Sequence, residues 1–170
     1  MVDDLNGPRD YRIFLNYRRS DCGWPAISLH GRLTQTFGED PVFLVLHGIQ
    51  AGDEYAEVLE STIRNCNVFL ALIGSGWLDA RDTSNRRRLD DPKDWVRLEI
   101  GMALSVRARV IPILVDGTEA LRAGELPEDI RALAGRQYIA VNRDRFGHDM
   151  LVLVECLKRN RDARSRLTTI

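Results

Sequence analysis

Cysteine is scarce in this chain: Cys22, Cys66 and Cys156 are the only three in 170 residues, odd in number, widely spaced and without a CxxC pair. That argues against both a disulfide framework and a zinc site, and a reducing cytoplasm is the expected location. Net charge is nearly absent too. Twenty-four basic residues face 25 acidic ones for a formal charge of −1, so no overall field draws nucleic acid or an anionic membrane, and neither is expected as a partner. The opening MVDDLNGPRD lacks the basic-then-apolar order of a signal peptide. The longest apolar run, Val68 to Ile73, falls far short of the roughly 20 residues a membrane span needs. Phosphate loops of the GxGxxG or GxxxxGK[ST] type are missing, and His30, His47 and His148 show neither an HExxH motif nor paired spacing. No metal and no resident cofactor are therefore expected. A phospho-receiver domain would need an acceptor Asp at the end of its third strand, where this chain reads Ala71-Leu72-Ile73-Gly74-Ser75.

What is present is an ordinary globular composition, 44% hydrophobic and 29% charged, over a length that fits one domain. Short apolar runs at Ile13 to Tyr17, Val42 to Leu46, Val68 to Ile73, Val110 to Val115 and, more weakly, Gln137 to Val141 read as strands. Between them Pro25 to Phe37, Glu54 to Arg64, Trp95 to Arg107 and Met150 to Arg159 carry apolar residues at helical spacing. Strands that are continuously apolar, without alternation, are those of a parallel sheet buried on both faces. Five β/α units then predict an α/β fold, a flavodoxin-like three-layer sandwich around a five-stranded parallel sheet. The domain is expected over residues 10–160, with 161–170 a polar tail that frays.

The stretch Asp91-Pro92-Lys93-Asp94-Trp95-Val96-Arg97-Leu98-Glu99 reads as a helix start. Asp91 suits the N-cap, Pro92 the first helical position, and Asp94 the third, where a negative charge favours the positive end of the helix dipole. In that register Trp95, Glu99, Met102, Ala103 and Val106 share a face, and Glu99 is a carboxylate on an otherwise apolar stripe. Such a Glu commonly reaches solvent at the edge of its stripe or pairs with an Arg. If it does neither, it is placed for chemistry.

In parallel α/β sheets ligands bind beyond the carboxyl ends of the strands. Tyr17, Arg18 and Arg19 follow the first strand, and the loop Leu46-His47-Gly48-Ile49-Gln50-Ala51-Gly52-Asp53 follows the second. Arg18 and Arg19 offer forked donors to a phosphate; Tyr17, Trp77 and Trp95 offer flat faces to a base or pyridine ring. Together with Glu99 these suit a dinucleotide. Each also has a plainer reading: a strand-end Arg pair is commonly a surface ion pair, and a Trp near a helix start a core plug. The long connection Asp79 to Asp91 contains Arg86-Arg87-Arg88, but the acids at Asp79, Asp82, Asp90 and Asp91 around it predict a self-neutralised loop.

Five motifs in order, Phe14-Leu15-Asn16-Tyr17-Arg18-Arg19-Ser20-Asp21, Gly48-Ile49-Gln50-Ala51-Gly52-Asp53, Leu72-Ile73-Gly74-Ser75-Gly76-Trp77-Leu78, Trp95-Val96-Arg97-Leu98-Glu99 and Val110-Ile111-Pro112-Ile113-Leu114-Val115, resemble those of bacterial TIR (Toll/interleukin-1 receptor) domains of the NAD-cleaving type. The likeness runs from about Asp10 to Arg159. It implies an enzyme that takes NAD⁺ as substrate, with no cofactor, and breaks the nicotinamide–ribose bond to give ADP-ribose or a cyclic isomer. Glu99, from the Trp-x-x-x-Glu motif, would be catalytic. Phe14, Tyr17, Arg18, Arg19, Gly48, Ile49, Trp77 and Trp95 would line the substrate cleft. Gly48, Ile49, Gln50, Ala51 and Gly52 would form the BB loop, through which TIR domains self-associate. The resemblance also implies a place in bacterial immune (anti-phage) signalling, with the product acting on a downstream effector. Its alternatives are a non-catalytic TIR–TIR interaction module and a mimic of host TIR signalling. The chain departs from the family at Val45 and His47, where acidic residues commonly precede the BB-loop glycine.

Overall fold

The computed structural model describes residues 11–44 and 53–168. Val45 to Gly52, and with them the expected BB loop, lie outside the described residues. Five strands, β1 (Ile13–Asn16), β2 (Val42–Leu44), β3 (Val68–Ile73), β4 (Arg109–Val115) and β5 (Ile139–Val141), form one sheet in the order β2-β1-β3-β4-β5. Every neighbouring pair is parallel, with Asn16 opposite Ala71 and Val68 opposite Arg109. This is the expected flavodoxin-like sandwich. β3 at its centre is buried along its whole length, which is why that run carries no polar residue.

Alternation along the strands divides the core. Ile13, Leu15, Tyr17, Leu70 and Leu72 pack with Leu29 and Leu33 of α1 (Arg19–Phe37) and Leu153 and Leu157 of α4 (Phe146–Thr168). Phe14, Phe69, Ala71 and Ile73 point the other way. They meet Leu59 and Ile63 of α2 (Asp53–Arg64) and Val96, Ile100 and Ala103 of α3 (Trp95–Ser105). A 3₁₀ segment, Glu128–Gly135, completes that second layer with Ile130 and Leu133.

Three helices exceed their expected bounds, α2 only by Asp53, and α3 stops at Ser105, short of Arg107. α1 begins at Arg19 rather than Pro25: a first turn, in which the Asp21 and Cys22 N–H groups donate to the Arg18 carbonyl, joins the expected helix across a kink at Cys22 (φ −121°, ψ 31°), just before the proline that lacks an N–H for the ladder. α4 starts at Phe146 rather than Met150 and continues past Arg159 to Thr168, through part of the tail expected to fray from Arg161; the Arg161 guanidinium lies 5.9 Å from the Phe37 ring centroid and the Ser165 hydroxyl bonds back to the Arg161 carbonyl. β5 keeps only Ile139–Val141 of the expected Gln137 to Val141. Among the described residues no helix is long and apolar enough to cross a membrane.

Burial leaves four weak acids reluctant to ionise. Desolvation raises the Tyr11, Tyr17 and Cys22 groups above their ordinary values and pushes the Cys66 thiol up to about 12 from 9.0. The folded protein holds these protons while the unfolded chain has begun to release them, so the associated stability is complete below pH 9 and is lost as pH rises from there toward 12. The thermal midpoint should be level from pH 7 to about 8.5 and decline steadily above 9. Equal midpoints at pH 8 and about pH 10.5 would contradict the burial of this group.

Candidate active site at the carboxyl edge of the sheet

β1 ends on Asn16, the polar residue of an otherwise apolar strand, and alternation turns its side chain toward α3 along with Phe14. There it meets Glu99, which like Asn16 is completely buried. Asn16 Nδ2 donates to Glu99 Oε2 at 2.6 Å and lies 3.5 Å from the Val96 carbonyl oxygen. The contact forms at the carboxyl edge of β1, next to β3, where the chain order of a doubly wound sheet reverses and the crevice for a ligand opens. Glu99 occupies the middle of the buried stripe, which runs Val96, Glu99, Ile100, Ala103; Trp95, expected on that stripe, is 41% exposed at the first position of the helix.

The start of α3 differs from the expected one. Asp94, not Asp91, is the N-cap, its carboxylate accepting the Arg97 N–H at 3.2 Å. Asp91 instead opens a tight turn: its carboxylate accepts the Lys93 N–H at 2.9 Å and its carbonyl the Asp94 N–H at 3.0 Å, with Pro92 at the second position. Proline suits both that position and the first turn of a helix, so the sequence alone fits either start. Asp94 also closes a buried fork with Arg18, Nη1 to Oδ1 at 3.0 Å and Nη2 to Oδ2 at 2.9 Å, each side chain 3% exposed. Arg88 adds a weaker contact to the same carboxylate at 3.4 Å. One ion pair thus ties the residue two beyond Asn16 to the cap of the helix that carries Glu99.

A second carboxylate organises the neighbouring loop. Asp21, in the first turn of α1, accepts the Gly74 N–H at 2.8 Å and the Gly76 N–H at 2.9 Å, and the Cys22 thiol donates to it at 3.3 Å. Gly74 admits this approach because it has no side chain: a Cβ there would lie 2.7 Å from both carboxylate oxygens. Gly74→Ala should push Asp21 off both amides and cost about 2–4 kcal/mol, a fall of roughly 5–15 °C in thermal midpoint. An unchanged midpoint would mean that Asp21 does not hold this loop.

The remaining expected site residues are dispersed. Phe14 is in the core, stacked on Phe69 with centroids 5.2 Å apart, and Trp77 is wholly buried in the same cluster after β3. Tyr17 packs on the α1 and α4 side, yet its hydroxyl feels Glu99, whose charge adds to the effect of burial in raising its pKa while Arg19 opposes both. Arg18 spends both terminal nitrogens on Asp94, which leaves Arg19, exposed at the start of α1, as the guanidinium facing solvent. Gly48 and Ile49 lie outside the described residues. Two of the three arginines in the triplet are neutralised by the flanking acids, Arg86 by Asp82 and Arg87 by Asp90, whereas Arg88 reaches out of the loop to Asp94. Sequence reasoning misses Asn16, although a polar residue closing an apolar strand is a signal visible in the sequence. A separate cleft of about 280 Å³ lies beyond β3 and β4, between Gly74, Leu78, Thr118 and Leu121, and none of Asn16, Arg18, Asp94 or Glu99 lines it. Among the described residues no group of three His, Cys, Asp or Glu side chains is arranged to hold a metal ion.

A family model described as the TIR domain matches residues 13–152 of the chain. Among solved structures, the chain is similar to one described as the activated Roq1 resistosome directly recognizing the pathogen effector XopQ (TIR domains), at 14% identity and a TM-score of 0.48, with 94% of this chain and 84% of that chain covered.

Proposed function

The chain belongs to the TIR-domain family, and from that premise we propose that it cleaves NAD⁺ between nicotinamide and ribose with Glu99 as the catalytic carboxylate. The observation that carries this reading is the placement of Glu99: a fully buried acid at the carboxyl edge of a parallel sheet, oriented by a 2.6 Å hydrogen bond from Asn16 on the first strand. Burying a carboxylate in an apolar helix–sheet interface is costly, and a lysine-free, apolar stripe gives it no packing reason to be there.

The chemistry needs one acid. The nicotinamide ring is cationic while attached, so when the C1′–N bond breaks its electron pair neutralises the ring and the leaving group departs without a proton. Positive charge then develops on the ribose, and a carboxylate fixed beside it stabilises the oxocarbenium-like transition state. Water attacking C1′ and losing its proton gives ADP-ribose; attack by the substrate's own adenine or ribose gives a cyclic isomer. In this reading Trp95 offers its exposed face to the nicotinamide, Arg19 a guanidinium to the phosphates and Tyr17 part of the cleft wall, whereas Arg18 positions α3 through Asp94. The product would act as a message to a downstream effector in bacterial immunity against phage.

The complete burial of Glu99 favours a further element: the ribose reaches it only when whatever covers it moves. We propose that self-association, with residues 48–52 contacting the next copy head to tail, provides that movement; such a contact builds open filaments rather than closed dimers. Incubating the purified protein with NAD⁺ over a range of protein concentrations tests both statements. Nicotinamide release with a specific activity that rises as light scattering reports assembly is the expected result. Release at a constant specific activity would remove the assembly requirement. No release even where the protein is assembled would leave the second reading, a TIR–TIR interaction module whose Glu99 is sealed within the fold.

A further inference from the structure

Asn16 does more than hold Glu99. Its side-chain amide is oriented by the 2.6 Å contact, because only the N–H₂ end can lie that close to a carboxylate oxygen; the reverse orientation would oppose two acceptors. Oδ1 is therefore fixed on the other arm of the amide, beside the carboxylate, and it is buried with no donor in reach among the described residues. A buried carbonyl oxygen without a donor is rare in folded proteins, and beside a carboxylate at the ligand edge of the sheet it is placed to accept from a bound molecule. Two donors on the same edge of the sheet are also buried without partners: Arg18 Nε, two residues beyond Asn16, and Trp77 Nε1 in the loop after β3. Of these three atoms, Asn16 Oδ1 is the one whose side chain is tied directly to the Glu99 carboxylate.

We propose that Asn16 is a substrate-contacting residue whose Oδ1 accepts a hydrogen bond from a hydroxyl of the nicotinamide-side ribose while its Nδ2 holds Glu99, so that one amide sets both the carboxylate and the sugar. The inference rests on the NAD⁺-cleaving reading and names within it the group that selects for an intact ribose. It explains why this strand ends in Asn rather than in an apolar residue: the amide offers a donor to the acid and an acceptor to the sugar from one planar frame. A deoxyribosyl substrate would leave Oδ1 unpaired and should be discriminated against.

The test couples the side chain to the hydroxyl. NAD⁺ and its analogues lacking the 2′- or the 3′-hydroxyl on the nicotinamide-side ribose are compared as substrates of the parent, Asn16→Ala and Asn16→Asp. For the parent, loss of the contacted hydroxyl should lower kcat/KM by about 10- to 100-fold, the worth of one hydrogen bond. Asn16→Ala should lose activity on NAD⁺ but discriminate little against that analogue, since the acceptor is already gone. Asn16→Asp keeps an oxygen in place while opposing Glu99 with a second carboxylate. It should turn over slowly near neutral pH, recover as pH falls and one proton is shared between the two acids, and keep the parent's discrimination. Losses that simply multiply for both analogues in Asn16→Ala would overturn the inference and leave Asn16 a support for Glu99 alone. If Asn16→Ala does not fold, discrimination abolished in Asn16→Asp overturns it equally. Should the parent bind but not cleave NAD⁺, the proposed function fails by itself, and the same comparison is read from dissociation constants. No binding of NAD⁺ by either the parent or Glu99→Gln would overturn both.

Discussion

Glu99→Gln is expected to lower NAD⁺ cleavage by about 10²–10³-fold or more while the thermal midpoint stays within a few degrees of the parent. The two halves of that expectation have different physical sources. Gln has the shape of Glu and retains a carbonyl oxygen to accept the Asn16 Nδ2 hydrogen bond, so the packing among Val96, Ile100 and Ala103 is undisturbed. Weakening a bond to a charged acceptor into one to a neutral acceptor costs about 1 kcal/mol, and removing a buried charge returns a desolvation cost of the opposite sign. Turnover has no such compensation, because the transition state loses the negative charge that faces the developing cation. Gln is a better probe than Ala, which would leave Asn16 Nδ2 without its acceptor and open a cavity, mixing a folding defect into the kinetics. Nicotinamide release should be measured beside the thermal midpoint at matched protein concentration. A Gln variant as active as the parent would make Glu99 a structural acid, and the proposed reaction would need another residue.

The sheet was legible because its strands are short, continuous and apolar: Val68–Ile73 appears as β3 without a change of boundary, β4 gains only Arg109, and the weakest run yields the shortened β5. Glu99 was legible for the complementary reason. A charge among apolar residues at helical spacing stands out against the pattern, and the structure keeps it on the buried stripe while exchanging Trp95 for Val96 there. Less legible were features decided by tertiary contact. Whether Trp95 or Val96 faces the core depends on how α3 lies across β1 and β4, since both are apolar and adjacent. Whether Arg18 offers its fork to a phosphate or to Asp94 depends on a partner 76 residues away. The Asp91–Asp94 segment fits two helix starts because Asp and Pro serve turns and caps alike. Asn16 was visible as a residue and silent as a site, because the meaning of a polar side chain at a strand end lies in what stands opposite it.

The fork between Arg18 and Asp94 carries the largest expected effect on stability. Both side chains are 3% exposed and the geometry is bidentate, so removing either partner leaves the other charge buried. Arg18→Met should cost about 3–5 kcal/mol, which for a domain of this size is a fall of roughly 6–20 °C in thermal midpoint. Arg88, 3.4 Å from Asp94 and itself half exposed, can follow the orphaned carboxylate and hold the loss toward the lower end. Asp94→Ser keeps an N-cap acceptor for the Arg97 N–H while stranding the Arg18 guanidinium, and a similar loss is expected. The double variant should recover most of it, since with both charges gone neither is stranded and a methionine fills the volume of the arginine stem. That non-additivity separates an ion pair from two residues that merely pack. The pair also fixes where α3 starts, and through the helix where Glu99 stands relative to Asn16. Turnover should therefore stay reduced in the double variant even where its midpoint is restored, because a neutral contact does not impose the forked geometry that sets the helix angle. Independent, additive losses in the two single variants would show that Arg18 and Asp94 are not coupled in solution, and the positioning of the α3 cap would have to be assigned to Asp94 and Arg97 alone.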